Sequence, residues 1–117
     1  MSTRPRKRHE LKCWPEFFQP TLNAHKRFEL RRDDRPEGFQ VGDELLLREW
    51  DPGVYQKNLP FDHRTVENIQ AAIKAAYTGR EVLVRVDYIM TPETVHNLMS
   101  LRSMVDDYVI MSISRVH

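Results

Sequence analysis

The stretch FQVGDELLLREW, residues 39–50, sets the centre of the fold predicted from this sequence. It opens with a glycine turn and continues as a strand in which Leu45 and Leu47 point one way while Leu46 and Trp50 point the other. Apolar residues on both faces are typical of a strand that is covered on both sides. We therefore predict that this strand lies inside a sheet.

Four further segments alternate apolar and polar residues with a period of two, which is typical of strands with one buried face. The clearest is REVLVRVDYI, which places Val82, Val84 and Val86 on one face. The other three are ELKC at 10–13, RFELR at 27–31 and YVIMSISRV at 108–116. With the central segment, these predict a sheet of about five strands.

Short helices are predicted between the strands. WPEFFQPTLNAH, 14–25, has a proline that suits a first helical position, and DHRTVENIQAAIKAAYTG, 62–79, begins with Asp62 as a candidate N-cap. A third helix is predicted to start at Thr91, again followed by proline. DPGVY, 51–55, has the composition of a turn. The strands come too irregularly for repeated βαβ units, so the fold class predicted is α+β.

Composition indicates one domain. The chain has 117 residues, of which 40% are hydrophobic and 30% charged, as in ordinary globular proteins. Residues 1–8 are basic and poor in apolar side chains, so we predict a flexible arm there, which either aids solubility or binds phosphates, and a single domain over 9–117. No apolar run is long enough to span a bilayer, and no apolar signal region follows the start, so we expect no membrane contact and a cytoplasmic location.

Several classes of site are disfavoured. A net charge of +1 argues against nucleic-acid binding by the whole surface, so any such site must be local. The single cysteine, Cys13, excludes an intramolecular disulfide and a multi-cysteine zinc site, and the histidines lack metal-binding spacing. We predict neither a metal nor a cofactor. Asp33, Asp34 and Asp43 are interpreted as structural turn residues.

The most distinctive chemistry lies in HKRFELRRDDR, 25–35, where six basic and three acidic residues surround two apolar ones. On a strand, Glu29 and Arg31 share one face while Phe28 and Leu30 share the other. We predict that Phe28 and Leu30 anchor the strand in the core.

The charged face has two interpretations. If it meets solvent, Lys26, Glu29 and Arg31 form ion pairs worth only about 0.2–1 kcal/mol each. If it lines a cleft, the two cations suit a phosphate or carbonyl, and the carboxylate suits an exocyclic amine. Candidate supporting cations are Arg35, Lys12 and His9, and candidate stacking surfaces are Trp14, Trp50, Tyr55 and Tyr88. These residues alone leave both interpretations open.

A resemblance favours the cleft. The string HELKCWPEFFQPTLNAHKRFELRRDDRPEGFQVGDELLLREWDP resembles uncharacterised small bacterial and phage proteins with the pattern HELK, then K-x-F-E-x-R-x-x-D-R, then VGD-x-L-x-L-x-E. It resumes at YTGR with VLVRVDYI and ends at YVIMSI. That family is similar to the ASCH domains of the PUA-like superfamily. The resemblance implies a small mixed β-barrel of about five strands with two or three short helices. Two segments depart from the family pattern, near 57–76 and 91–106, and there this chain is predicted to insert helices. The resemblance also places a glycine where this chain has Ala24, which predicts a less left-handed turn.

The same resemblance implies binding of RNA or a nucleotide-like ligand at Lys26, Glu29 and Arg31, supported by Arg35, Lys12 and His9. An alternative is an amidohydrolase acting on an acylated nucleoside, in which Lys26 and Glu29 are the catalytic residues. Glu29 stands where those enzymes have a nucleophilic threonine, so binding is favoured over catalysis. A third hypothesis is a phage-type interaction module that binds a protein partner through the inserted helices.

Overall fold

The protein is described here by a computed structural model that covers residues 4–33, 37–59, 65–91 and 108–116. These residues form five strands and three helices, in agreement with the α+β prediction. In chain order they are β1 (Arg8–Cys13), α1 (Pro15–Leu22), β2 (Phe28–Arg32), β3 (Glu44–Trp50), α2 (Pro52–Asn58), α3 (Val66–Ala75), β4 (Tyr77–Met90) and β5 (Tyr108–Arg115).

The five strands form one mixed sheet in the order β1-β3-β4-β5-β2. β1 pairs in parallel with β3, and the other neighbours are antiparallel. β3 lies inside the sheet between β1 and β4, which confirms the prediction from its two apolar faces. The sheet curls into a half barrel, so its edge strands β1 and β2 come to face each other.

The core fills the concave face of the half barrel. Leu45 and Leu47 of β3 are completely buried, and Phe18 of α1 closes the core from one side. The predicted alternation is confirmed along β1, from Glu44 to Glu49 of β3, from Val82 to Val86 of β4 and from Tyr108 to Ile113 of β5, where every second residue is buried. The cluster comprises Leu11, Cys13, Phe18, Phe39, Leu45, Leu47, Val82, Val84, Val86, Val109, Met111 and Ile113.

The prediction that DPGVY forms a turn is wrong, because this segment opens helix α2. Asp51 is the N-cap, its Oδ1 accepting a hydrogen bond from the Gly53 N–H at 2.9 Å, and Pro52 occupies the first turn. A capping aspartate followed by proline is a strong signal for a helix start.

Helix α3 confirms the helix predicted in 62–79, although it is shorter. Its cap is Thr65, which accepts from the Asn68 N–H at 3.2 Å, whereas Asp62 lies outside the described residues. The Trp50 indole donates to the carbonyl of Ile73 at 3.0 Å and ties the helix to β3. The helix predicted from Thr91 onward lies almost entirely outside the described residues.

Asp43 fastens the start of the chain to the sheet. Arg4 donates to both carboxylate oxygens, at 3.0 and 2.6 Å, and the Lys7 N–H donates at 3.1 Å. His9 and the Gln40 N–H complete the set at 2.8 and 3.0 Å. Asp43 is thus structural, as predicted. Residues 4–7 of the expected flexible arm are held against the domain by these bonds.

β2 inverts the predicted assignment of its faces. Phe28 and Leu30 are 53% and 50% exposed, whereas Glu29 between them is 3% exposed. The prediction that Phe28 and Leu30 anchor the strand in the core is therefore wrong. The reason is that the concave side of β2 is filled by a carboxylate and its cations, which leaves the apolar side chains outside.

This inversion predicts that Leu30 adds little to stability. Leu30→Thr, which keeps strand propensity, should change the free energy of unfolding by less than about 1 kcal/mol. The buried control Leu47→Ala should lower it by about 2–5 kcal/mol. Urea unfolding followed by circular dichroism measures both, and equal losses in the two variants would show that Leu30 is a core residue.

Among the residues described by the structure, no helix combines the length and apolar composition that a bilayer crossing requires.

Candidate functional site

The edge strands β1 and β2 border a cleft of about 680 Å³. They are joined across it by a side chain, since Nη2 of Arg31 donates to the carbonyl of Lys12 at 2.8 Å. The cleft is lined by Lys12, Cys13, Trp14, Phe17, Lys26, Phe28, Glu29, Leu30, Arg31 and Tyr108. Charged groups and aromatic rings therefore meet where the sheet is not closed.

Three of the predicted site residues form one ion cluster in this cleft. Lys26 Nζ donates to Oε1 of Glu29 at 2.6 Å, and Arg31 Nε donates to Oε2 at 2.8 Å. Lys26 also donates to the carbonyl of Phe28 at 2.6 Å. A single buried carboxylate thus faces two cations that are partly exposed, and the cluster keeps one excess positive charge.

A left-handed turn delivers Lys26 to the cleft. Ala24 has a φ of 60°, so the expectation of a less left-handed turn at this alanine is wrong. Such a backbone costs a non-glycine residue about 1–2 kcal/mol. The N–H groups of His25 and Lys26 both donate to the carbonyl of Pro20, at 2.9 and 3.0 Å. These bonds close the end of α1 and offset the strain.

Aromatic rings stand on one wall of the cleft. Trp14, Phe17 and Phe28 are each about half exposed. The Lys26 ammonium lies 5.0 Å from the ring centre of Phe28 and 6.0 Å from that of Phe17. Flat, exposed rings beside a cation form a surface on which a planar ligand can stack.

Cys13 lies at the floor of the cleft without being reactive. Burial, together with the nearby negative charge of Glu29, raises the pKa of its thiol to about 11 against the opposing effect of Arg31 and Lys26. The thiol is therefore protonated at neutral pH, and thiolate chemistry is disfavoured. Its behaviour as a small buried apolar residue agrees with the sequence-based interpretation.

The supporting residues are placed differently from one another. Lys12 lines the cleft, with its ammonium 4.7 Å from the Trp50 ring centre. His9 is 6% exposed, and its Nε2 donates to Oδ2 of Asp43 at 2.8 Å. It packs against Phe39 and is not part of the cleft lining. Arg35 lies outside the described residues.

Of the aromatic residues predicted as stacking surfaces, some line the cleft and others do not. Trp14 lines the cleft, whereas Trp50 packs against Tyr55 with ring centres 5.3 Å apart. Tyr88 is exposed on β4 and is not part of the lining. The cleft uses Phe17 and Phe28 instead, of which Phe28 is predicted from the sequence to lie in the core.

Sequence reasoning also missed the buried carboxylate of Glu49. Glu49 accepts from the Thr78 hydroxyl at 2.7 Å, and the Arg80 guanidinium lies 3.6 Å away. The signal was its position two residues after Leu47 in the buried series of β3. Within the described part of the chain, no group of three or more histidine, cysteine, aspartate or glutamate side chains is placed to hold a metal ion.

The sequence of the chain matches a known protein family. Residues 8–113 match the family described as a domain of unknown function, DUF3850. The chain belongs to this family. The DUF3850 match spans both edges of the cleft, from β1 to β5. It supports the predicted membership of an uncharacterised family.

A phage protein is among the relatives of this DUF3850 chain. It is described as "Uncharacterized 12.9 kDa protein in GpA 3'region", from Escherichia phage P2, and is 41% identical over 47 residues. The alignment covers 40% of this chain and 41% of the phage protein, so it spans less than half of either. A phage relative agrees with the predicted phage or bacterial family.

Proposed function

We propose that the cleft between β1 and β2 binds single-stranded RNA or a nucleotide-like ligand. The observation that carries this proposal is a carboxylate, Glu29, buried at the floor of an open cleft between two cations. A charged group is costly to bury, and a strand that served only as a solvated face would expose it. The ASCH-like sequence pattern favours the same residues.

The chemistry of the cluster suits a nucleotide. Lys26 uses two of its three N–H donors on Glu29 and Phe28, and Arg31 Nη1 makes no hydrogen bond within the described residues. These donors are available to a phosphate or a base carbonyl. Glu29 retains acceptor sites for an exocyclic amine.

The exposed rings supply the remaining contact. A base stacked on an aromatic side chain contributes about 1–3 kcal/mol, and stacking tolerates any base. Trp14, Phe17 and Phe28 offer such surfaces within the same lining as the cations. The combination favours an unpaired base over a duplex, whose bases are not accessible to stacking.

Binding is better supported than hydrolysis of an acylated nucleoside. The described lining of the cleft contains no serine or threonine, and the Cys13 thiol is protonated. Both carboxylate oxygens of Glu29 already accept a hydrogen bond from a cation. A hydrolytic role would therefore require water to be activated by a carboxylate whose two oxygens are both engaged.

Removal of the Lys26 ammonium tests the proposal. Lys26→Ala should weaken binding of a single-stranded RNA octamer at least tenfold, because a charged hydrogen bond contributes about 1.5–3 kcal/mol. The magnitude of the slope of log affinity against log salt should fall by about 0.7, the contribution of one phosphate contact on a single strand. Fluorescence anisotropy at several salt concentrations measures both quantities.

The control for this experiment is Lys74→Ala, an exposed lysine in the last turn of α3. It should leave affinity and salt slope unchanged, and circular dichroism should show both variants folded. Equal affinity of Lys26→Ala and the wild type would remove the support for a nucleic-acid site in the cleft.

A further inference from the structure

A second, smaller cavity adjoins the cleft. It has a volume of about 380 Å³ and is lined by Glu10, Leu11, Lys12, Arg31, Arg48 and Tyr77. Lys12 and Arg31 line both cavities, and the bond from Arg31 to the Lys12 carbonyl lies at their boundary. A ligand that leaves the cleft past these residues therefore enters the second cavity.

Two cations of this cavity are held by rings. The Lys12 ammonium lies 4.7 Å from the Trp50 ring centre, and the Arg48 guanidinium lies 4.2 Å from that of Tyr77. An aromatic partner positions a cation without cancelling its charge. Among the described residues, Arg48 has one carboxylate contact, a long one to Glu81 at 3.6 Å.

Basic residues elsewhere are neutralised more directly. Arg4 is bonded to Asp43, and Arg8 donates to Glu44 at 3.1 Å. Around the second cavity, Arg31 is paired with Glu29, whereas Arg48 reaches Glu81 at 3.6 Å and Lys12 has no carboxylate contact within the residues that the structure describes. Two weakly paired cations, Lys12 and Arg48, therefore lie side by side next to the cleft.

We propose that this second cavity binds the phosphodiester group next to the base held in the cleft. Lys12 and Arg48 donate to the phosphate oxygens, and Arg31 contacts both parts of the ligand. The ligand class is thus a single-stranded oligonucleotide of at least two nucleotides, and a free nucleoside fills only half of the site. This proposal rests on the proposed function of the cleft.

The test compares ligands with and without phosphate. The variant Arg48→Gln, at a residue that lines the second cavity and not the cleft, is titrated with the four ribonucleosides by NMR and with a mixed-sequence RNA octamer by fluorescence anisotropy. Octamer affinity should fall about tenfold and the salt slope by about 0.7, because one neutralised phosphate on a single strand contributes about 0.7. Nucleoside binding should be unchanged.

The matched control is Lys74→Gln, which removes one charge from an exposed position on α3. It should leave octamer affinity within twofold of the wild type. An unchanged octamer affinity and salt slope in Arg48→Gln would overturn the phosphate subsite alone. Failure of the wild type to bind any nucleoside or the octamer would overturn the proposed function of the cleft as well. Equal binding of the octamer and its duplex would overturn the single-strand assignment.

Discussion

Asp43→Asn is expected to lower the free energy of unfolding by about 3–5 kcal/mol at neutral pH. The carboxylate is 1% exposed and meets donors from Arg4, Lys7, His9 and Gln40. An asparagine has nearly the same shape, but its NH₂ group faces donors where an acceptor is required. The guanidinium of Arg4 also loses its counter-ion.

The pH dependence of the free energy of unfolding provides a second test of the role of Asp43. Burial alone raises the pKa of Asp43, but the hydrogen bonds from Arg4, His9 and the N–H groups of Lys7 and Gln40 outweigh it and hold the pKa well below its usual range. A lowered pKa in the folded state stabilises the protein above the unfolded pKa of about 3.9. This stabilisation is lost progressively as the pH falls below that value.

The difference between the wild type and Asp43→Asn should therefore be constant above about pH 5 and shrink toward pH 2. Urea unfolding at a series of pH values measures it. The control is Asp51→Asn, because asparagine caps a helix as well as aspartate does, so its stability should change by less than about 0.5 kcal/mol. A difference that stays constant down to pH 2 would contradict the assignment of Asp43 as an ionised buried acceptor.

Glu29→Gln is expected to have the next largest effect, a loss of about 3 kcal/mol in the free energy of unfolding. The change leaves Lys26 and Arg31 side by side without a counter-ion. The cost is lower than at Asp43 because both cations reach the solvent of the cleft. Guanidinium chloride would mask a charge effect, so thermal and urea unfolding are the suitable measurements.

Glu29→Gln also tests whether the ion cluster can bind an anionic ligand or only stabilises the fold. Without the carboxylate, inorganic phosphate can take its place between the two cations, so phosphate should raise the melting temperature of Glu29→Gln more than that of the wild type. Glu44→Gln, which breaks a surface pair with Arg8, is the control and should cost less than about 1 kcal/mol without a phosphate effect. Equal responses of both variants to phosphate would show that the Glu29 cluster does not accept an anion.

Most of the sheet was predictable because a strand that packs one face on a core must alternate apolar and polar residues. β3, β4 and β5 show this directly, because the apolar residues that the alternation places inward are buried: Leu45, Leu47, Val82, Val84, Val86, Val109, Met111 and Ile113. The start of α2 was predictable too, since Asp51 followed by Pro52 is a cap and a first helical position. The sequence nevertheless predicts a turn at Asp51 and Pro52, because aspartate and proline favour turns as well as helix starts.

The faces of β2 could not be derived in the same way. The rule that apolar residues point inward selects Phe28 and Leu30, but the concave side of this strand holds Glu29. A buried carboxylate is stable there only because Lys26 reaches it from the preceding turn and Arg31 from the same strand. Whether the Lys26 and Arg31 side chains have room beside Glu29 depends on the position of β1 across the cleft, which is a property of the folded sheet.

By itself the sequence determined the local elements, the charge of the segment 25–35 and its resemblance to a family, because periodicity, caps and motifs are properties of neighbouring residues. Only the tertiary structure decided that β1 and β2 are the two edges of a curled sheet. That curling brings Lys12 and Arg31 into contact across a separation of 19 positions in the chain. Long-range backbone pairing sets the strand order, so the cleft and its neighbouring cavity exist only in the folded sheet.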